Sequence, residues 1–310
     1  MKTTVRAAGL ILFSFTATAQ LPPGVNMDAV NTVLPEEGAP KAIPGNYKVT
    51  SGAAFGNDGL RVFQPEKLDA FPKRDKLPVV VWGNGGCAMD NPRYNGLLET
   101  IASHGFLVIT TAAGSAPATA PAAGAAPAAA GAAPRRANAT AASLKAGIDW
   151  AEKENARAGS PLAGKIDTTQ VAVMGQSCGG RLSLELGADP RVKTIGVFNA
   201  GVKPNEFPAL LAPLHGPTLF INGHERDFMM ADSRATYDAV DKLPAFYGSR
   251  HGAGHTATAY HVGGGEFANV ASNWVRWQFK KDKTAAKMFV GKKCELCTNE
   301  NWDTDSKRLK

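Results

Sequence analysis

Five short apolar runs, each closed by glycine or by small residues, constrain this 310-residue chain most. They read LPVVVW at 77–82, FLVITTA at 106–112, VAVM at 171–174, TIGVFNA at 194–200 and PTLFING at 217–223. A strand with one wet face alternates apolar and polar side chains. These runs are apolar at nearly every consecutive position, so each strand is expected to be covered on both faces. Between the first two, Leu97 to His104 reads as a helix closed by Gly105. Strand, helix, strand implies a right-handed parallel crossover. The fold class expected is therefore α/β: a mostly parallel central sheet with helices on both faces.

Flanking segments complete the plan. Tyr47 to Val49 and Leu60 to Gln64 read as early strands, with Gly56-Asn57-Asp58-Gly59 as the turn between them. A helix is expected over AASLKAGIDWAEKENA, where Leu144, Ile148, Trp150 and Ala151 fall near one face, another over RLSLELGA, and a strand at AFYGS. Residues 20–45, rich in Pro, Gly and Asn, are expected to form an extended arm, and residues 113–134, nearly all Ala, Pro and Gly, a surface loop, because recurrent proline prevents a continuous helix. Residues 46–310 are expected to form a single catalytic domain.

The amino terminus predicts export. Lys2 and Arg6 supply a positive region, Ala7 to Phe15 an apolar run too short to span a bilayer, and Ala17-Thr18-Ala19 a small-residue cleavage site, so residues 1–19 read as a signal peptide and the product as secreted. No other stretch is expected to span a membrane. The formal charge falls from +7 to +5 when Lys2 and Arg6 leave. Lys280, Lys281, Lys283, Lys287, Lys292 and Lys293 concentrate the remaining basic character and read as a solvated helical face. No nucleic-acid motif accompanies that run, and no nucleic-acid partner is expected.

Four cysteines, Cys87, Cys178, Cys294 and Cys297, favour disulfides in an exported chain. Cys294 and Cys297 have zinc-knuckle spacing, but no second ligand pair follows, so a local disulfide is expected and no metal site.

At 175–179 the chain reads Gly-Gln-Ser-Cys-Gly, between the apolar run at 171–174 and the helical pattern at RLSLELGA. This G-x-S-x-G at a strand-to-helix junction resembles the nucleophile elbow of the α/β-hydrolases, in which a strained turn exposes the serine hydroxyl. The resemblance implies that Ser177 is the nucleophile, that the acid follows the strand at 218–222 and that the histidine follows the next one. Asp227, in Gly-His-Glu-Arg-Asp, is the expected acid, with Glu225 as the alternative. His255, preceded by Gly252-Ala253-Gly254, is the expected base, with His251 next; His104, His215 and His224 read as structural or surface residues. The oxyanion donors are expected from the Cys178 amide and from Gly85 or Gly86 in GNGGC. If both loops serve one oxyanion hole their backbones lie within disulfide range, which predicts a Cys87 to Cys178 bridge.

WGNGGC, GQSCGG, INGHERD and GAGH occur in the order of the superfamily, from about Tyr47 to Lys281. Compactness, secretion, an elbow ending in two glycines and GAGH are most similar to the dienelactone-hydrolase-like and cutinase or polyester-hydrolase-like branch. Polyester hydrolases of that branch usually carry an aromatic residue in the oxyanion loop, where this chain has Gly85 and Gly86. The resemblance implies a serine carboxylic ester hydrolase acting on small or polymeric esters without metal or organic cofactor. A peptidase or amidase on the same fold and a non-catalytic binding protein are the alternatives.

Overall fold

The computed structural model describes residues 41–69, 71, 75–114 and 138–310. The expected signal peptide at 1–19, most of the arm at 20–45 and nearly all of the loop at 113–134 lie outside the described residues.

Among the described residues nine strands form one sheet: β1 (Val49–Ala54), β2 (Asn57–Pro65), β3 (Leu77–Gly83), β4 (Leu107–Thr111), β5 (Ile166–Gln176), β6 (Val192–Phe198), β7 (Thr218–Gly223), β8 (Ala245–Arg250) and β9 (Trp302–Lys307). Their spatial order is β1-β2-β4-β3-β5-β6-β7-β8-β9. β4 through β8 pair in parallel, while β1, β2 and β9 are antiparallel to their neighbours. The longer described helices are α1 (Asn95–Ser103), α2 (Ala141–Ala156), α3 (Cys178–Leu186), α4 (Met230–Ala239) and α5 (Gly265–Lys280).

The pleat divides each apolar run between two cores. Val79 and Val81 of β3, with Val171 and Val173 of β5, pack with Leu144 and Ile148 of α2, Leu182 and Leu184 of α3 and Tyr237 of α4. Val80, Trp82, Ala172 and Met174 point the other way, to Leu97 and Ile101 of α1 and Phe267 and Trp274 of α5. All seven residues of β3 are buried, as expected for a strand covered on both sides. Each fully buried large apolar side chain contributes about 1.5–3 kcal/mol, so this two-sided packing is what holds the sheet rigid under the loops at its carboxyl edge.

Several expectations shift. β1 begins at Val49 and runs to Ala54, beyond the Tyr47 to Val49 expected, and the turn is the pair Phe55-Gly56, with Asn57 already opposite Ala54 in β2. The basic run is not one helical face: Lys280 ends α5 and pairs with Asp75 at 3.1 Å, and Lys281 takes a left-handed φ of 54° that ends the helix. β9 carried no strand signal, because WDTDSK is an edge strand in which only Trp302 is buried.

Candidate active site

β5 delivers Ser177 on a sharp turn into α3. Ser177 holds φ 53° and ψ −120°, a left-handed conformation that a side-chain-bearing residue keeps only when its surroundings enforce it. Those surroundings are glycines: a Cβ at Gly179 would strike the Gly83 carbonyl of β3, and one at Gly175 the Gly179 carbonyl. Small residues thus let α3 start directly against the ends of β3 and β5. Cys178 is the first residue of α3, so its amide has no partner within the helix.

Gly85–Cys87 forms a short turn after β3, with Gly86 at φ 64° and Cys87 at φ 50°. The Asn84 side chain donates to the Ala88 carbonyl at 3.1 Å and braces the turn. Cys87 and Cys178 form a disulfide, their Cα atoms 5.2 Å apart, and Cys294 and Cys297 form a second, with Cα atoms 4.9 Å apart. Both expected pairings are present.

β7 ends at Gly223, and four residues later the loop turns the Asp227 carboxylate back on the strand end. Asp227 Oδ2 accepts from the Gly223 amide at 3.1 Å and from Asn199 Nδ2 at 2.8 Å, while Oδ1 accepts from the Met229 amide at 3.0 Å. His255 Nδ1 lies 2.8 Å from Asp227 Oδ1, and Nε2 lies 2.9 Å from Ser177 Oγ. With the carboxylate ionised, Nδ1–H donates to it, which leaves the Nε2 lone pair to accept the Ser177 hydroxyl proton. Asp227 and His255 are 4% and 5% exposed, so water competes little for these bonds. Arg226 and Gly254 form a backbone bridge between the two loops.

The alternatives fall elsewhere. Glu225 bonds His224 Nδ1 at 2.9 Å and the Gly252 amide at 3.2 Å, and its own backbone amide holds its carboxyl below the ordinary range. His251 pairs with Asp303 at 3.1 Å. Neither joins the chain of contacts from Ser177.

Five supporting residues escaped the sequence reading. Asn199 carries the Asp227 contact at a left-handed φ of 48°, and Thr258 Oγ1 donates to Asn199 Oδ1. Gln176, beside the serine, donates Nε2 to the His255 carbonyl at 2.7 Å and accepts from Tyr94 Oη at 2.7 Å. Phe228 lies against the His255 ring, tilted by 36°, with centroids 4.1 Å apart. The available signal was a polar residue at the end of an apolar strand: Gln176 closes β5, and Asn199 directly follows β6.

The sequence model of the family described as PETase, PET hydrolase-like, matches residues 91–306, more than two thirds of the chain. The chain belongs to the PET hydrolase-like family. Family membership places it in the polyester-hydrolase branch of the α/β-hydrolase superfamily and makes it a hydrolase acting on esters. The nine-stranded, mostly parallel sheet with its helices is the architecture of that family. Ser177, Asp227 and His255 fall within the matched residues, whereas the Gly85–Cys87 turn precedes them. No curated protein matches the chain.

Proposed function

We propose that the chain is a secreted serine carboxylic ester hydrolase that works through an acyl-enzyme. The observation that carries this reading is the unbroken path from Ser177 Oγ through His255 to Asp227, at 2.9 Å and 2.8 Å, beginning on a strained elbow. Ser177 attacks the ester carbonyl as His255 Nε2 takes its proton, and the Asp227 carboxylate stabilises the imidazolium. The Cys178 amide and an amide of Gly85 or Gly86 receive the negative charge on the carbonyl oxygen. His255 then protonates the departing alcohol, and water, activated by the same nitrogen, releases the acid and frees Ser177.

Secretion is supported by the leader pattern at 1–19 and by two disulfides, which persist in oxidising compartments. Among the described residues no helix is long and apolar enough to cross a membrane.

A fluorophosphonate, which captures activated serine, is expected to label Ser177, and Ser177→Ala to abolish turnover of a panel of small esters and polyester films with the circular dichroism unchanged. A folded Ser177→Ala variant that still turns over esters, or a label on another residue, ends this reading. Turnover of amides in preference to esters places the chain instead with the amidases of the same fold.

A further inference from the structure

We propose that Gln176 is a positioning residue, whose single amide holds the His255 main chain and the Gly85 end of the oxyanion turn in register. The inference rests on the serine-esterase reading above and adds to it a residue outside the path from Ser177 through His255 to Asp227. Gln176 closes β5 immediately before Ser177 and is 2% exposed. Its Nε2 donates to the His255 carbonyl at 2.7 Å, and its Oε1 accepts from Tyr94 Oη at 2.7 Å.

The two neighbours fix which way the amide points. A carbonyl can only accept, so His255 takes the NH2 group, and the Tyr94 hydroxyl places its proton on the remaining oxygen. The reversed amide would set two oxygens against each other at His255, out of reach of water. Tyr94 is itself buried: it stands at the start of α1, with its ring against Trp82 of β3 and centroids 5.4 Å apart.

A third contact brings in the oxyanion turn. A Cβ at Gly85 would strike Gln176 Oε1 and come within 2.7 Å of Tyr94 Oη. The backbone of the turn therefore rests directly on the hydrogen bond between Gln176 and Tyr94. Glycine at 85 answers to this close approach, whereas Gly86 answers to its left-handed φ of 64°.

Gln176 thus touches both parts that must be aligned on Ser177. The turn follows β3, which adjoins β5, but His255 comes from the loop after β8, three strands away in the sheet. That loop has no strand pairing with β5, and the Gln176 amide links the two directly. The Cys87 to Cys178 disulfide ties the turn to α3, while no covalent link holds His255. Misplacing a reacting group by about 1 Å can cost about a hundredfold in rate, and proton transfer and oxyanion binding are felt in the transition state, so the loss belongs in kcat.

The test compares the full-length parent and its variants on a soluble ester and in the rate of fluorophosphonate capture. Gln176→Met keeps the length of the side chain and removes both hydrogen bonds. Its kcat should fall about tenfold to a hundredfold with KM changed by less than about twofold, and capture should slow by a similar factor. Tyr94→Phe should cost less, and in the double variant the two losses should not multiply, because the hydroxyl acts through the amide. Gln176→Glu supplies the rescue. Its protonated carboxyl donates to the His255 carbonyl and accepts from Tyr94 as the amide does, whereas its carboxylate opposes that carbonyl. The kcat of Gln176→Glu relative to the parent at the same pH should rise as the pH falls from about 9 to about 6, while that of Gln176→Met stays flat. A packing role alone would lower the melting temperature without producing this slope. Should Gln176→Met fail to fold, the slope of Gln176→Glu carries the test. A folded Gln176→Met with the kcat of the parent, or a Gln176→Glu whose relative kcat does not rise on acidification, overturns the proposal. If fluorophosphonate captures the parent at Ser177 and the variants behave like it, the proposal alone falls; if the parent is not captured, the esterase reading falls and takes the proposal with it.

Discussion

Ser177 was legible because its motif is a local demand on the backbone: a strained serine needs glycines where α3 crosses β3, and those glycines sit within a few letters of it. Asn199 was not, because its contact with Asp227 joins residues 28 positions apart across the ends of two strands. That contact gives a prediction. Asn199→Gly keeps the left-handed backbone open while removing a hydrogen bond to a buried carboxylate, a loss of about 1.5–3 kcal/mol. If the carboxylate orients His255, kcat should fall about tenfold to a hundredfold with KM little changed, as measured by steady-state kinetics on a soluble ester. An unchanged kcat would show that Asp227 is held well enough by its two backbone donors. At His255 itself, His255→Ala should lose several powers of ten in kcat, whereas His251→Ala keeps most of it.

At the scale of elements, the central strands were readable and the edges were not. β3 and β5 are buried on both sides and so write their burial directly into sequence; β9, with one buried residue in six, could write almost nothing. What β9 does is visible only in three dimensions: Trp302 Nε1 donates to Glu266 Oε1 at 2.6 Å while Arg250 Nε bonds Glu266 Oε2 at 2.7 Å, locking α5 to β8 and β9. The elbow makes a sharper prediction. Gly179→Ala drives a methyl into the Gly83 carbonyl, and since both are backbone the only relief is to move α3 away from β3. The expected result is a melting temperature several degrees lower together with reduced fluorophosphonate labelling of Ser177; parental values for both would show that the helix can slide without consequence. Near the amino end of β6, Arg191 binds Asp189, Asp149 and Glu152, and its hydrogen bonds hold the Asp189 carboxyl down at about 2. A depressed carboxyl stabilises the fold at pH values above its unfolded pKa of 3.8 and loses that contribution as the pH falls toward about 2. Acid unfolding of Asp189→Asn should therefore differ least from the parent below that window and most at neutral pH.

For the whole molecule, the two disulfides are unequal. The Cys87 to Cys178 bridge spans 91 residues and the Cys294 to Cys297 bridge only 3. On the chain-entropy account the first restricts the unfolded chain by about 4–5 kcal/mol and the second by about 1–2 kcal/mol. Cys87→Ser with Cys178→Ser should thus lower stability to urea far more than Cys294→Ser with Cys297→Ser, and only the former should depress turnover, since it alone joins the proposed oxyanion loops. Equal losses in the two double variants would contradict both points. The long bridge also alters what it means to cut this chain. Residues 115–137, with Arg135 and Arg136 among them, lie between its two cysteines. Trypsin cleaving after either arginine would divide the polypeptide in two without dividing the molecule: the piece bearing the first strands would stay tethered to the piece bearing the serine, running as one species on a gel until a reductant parts them.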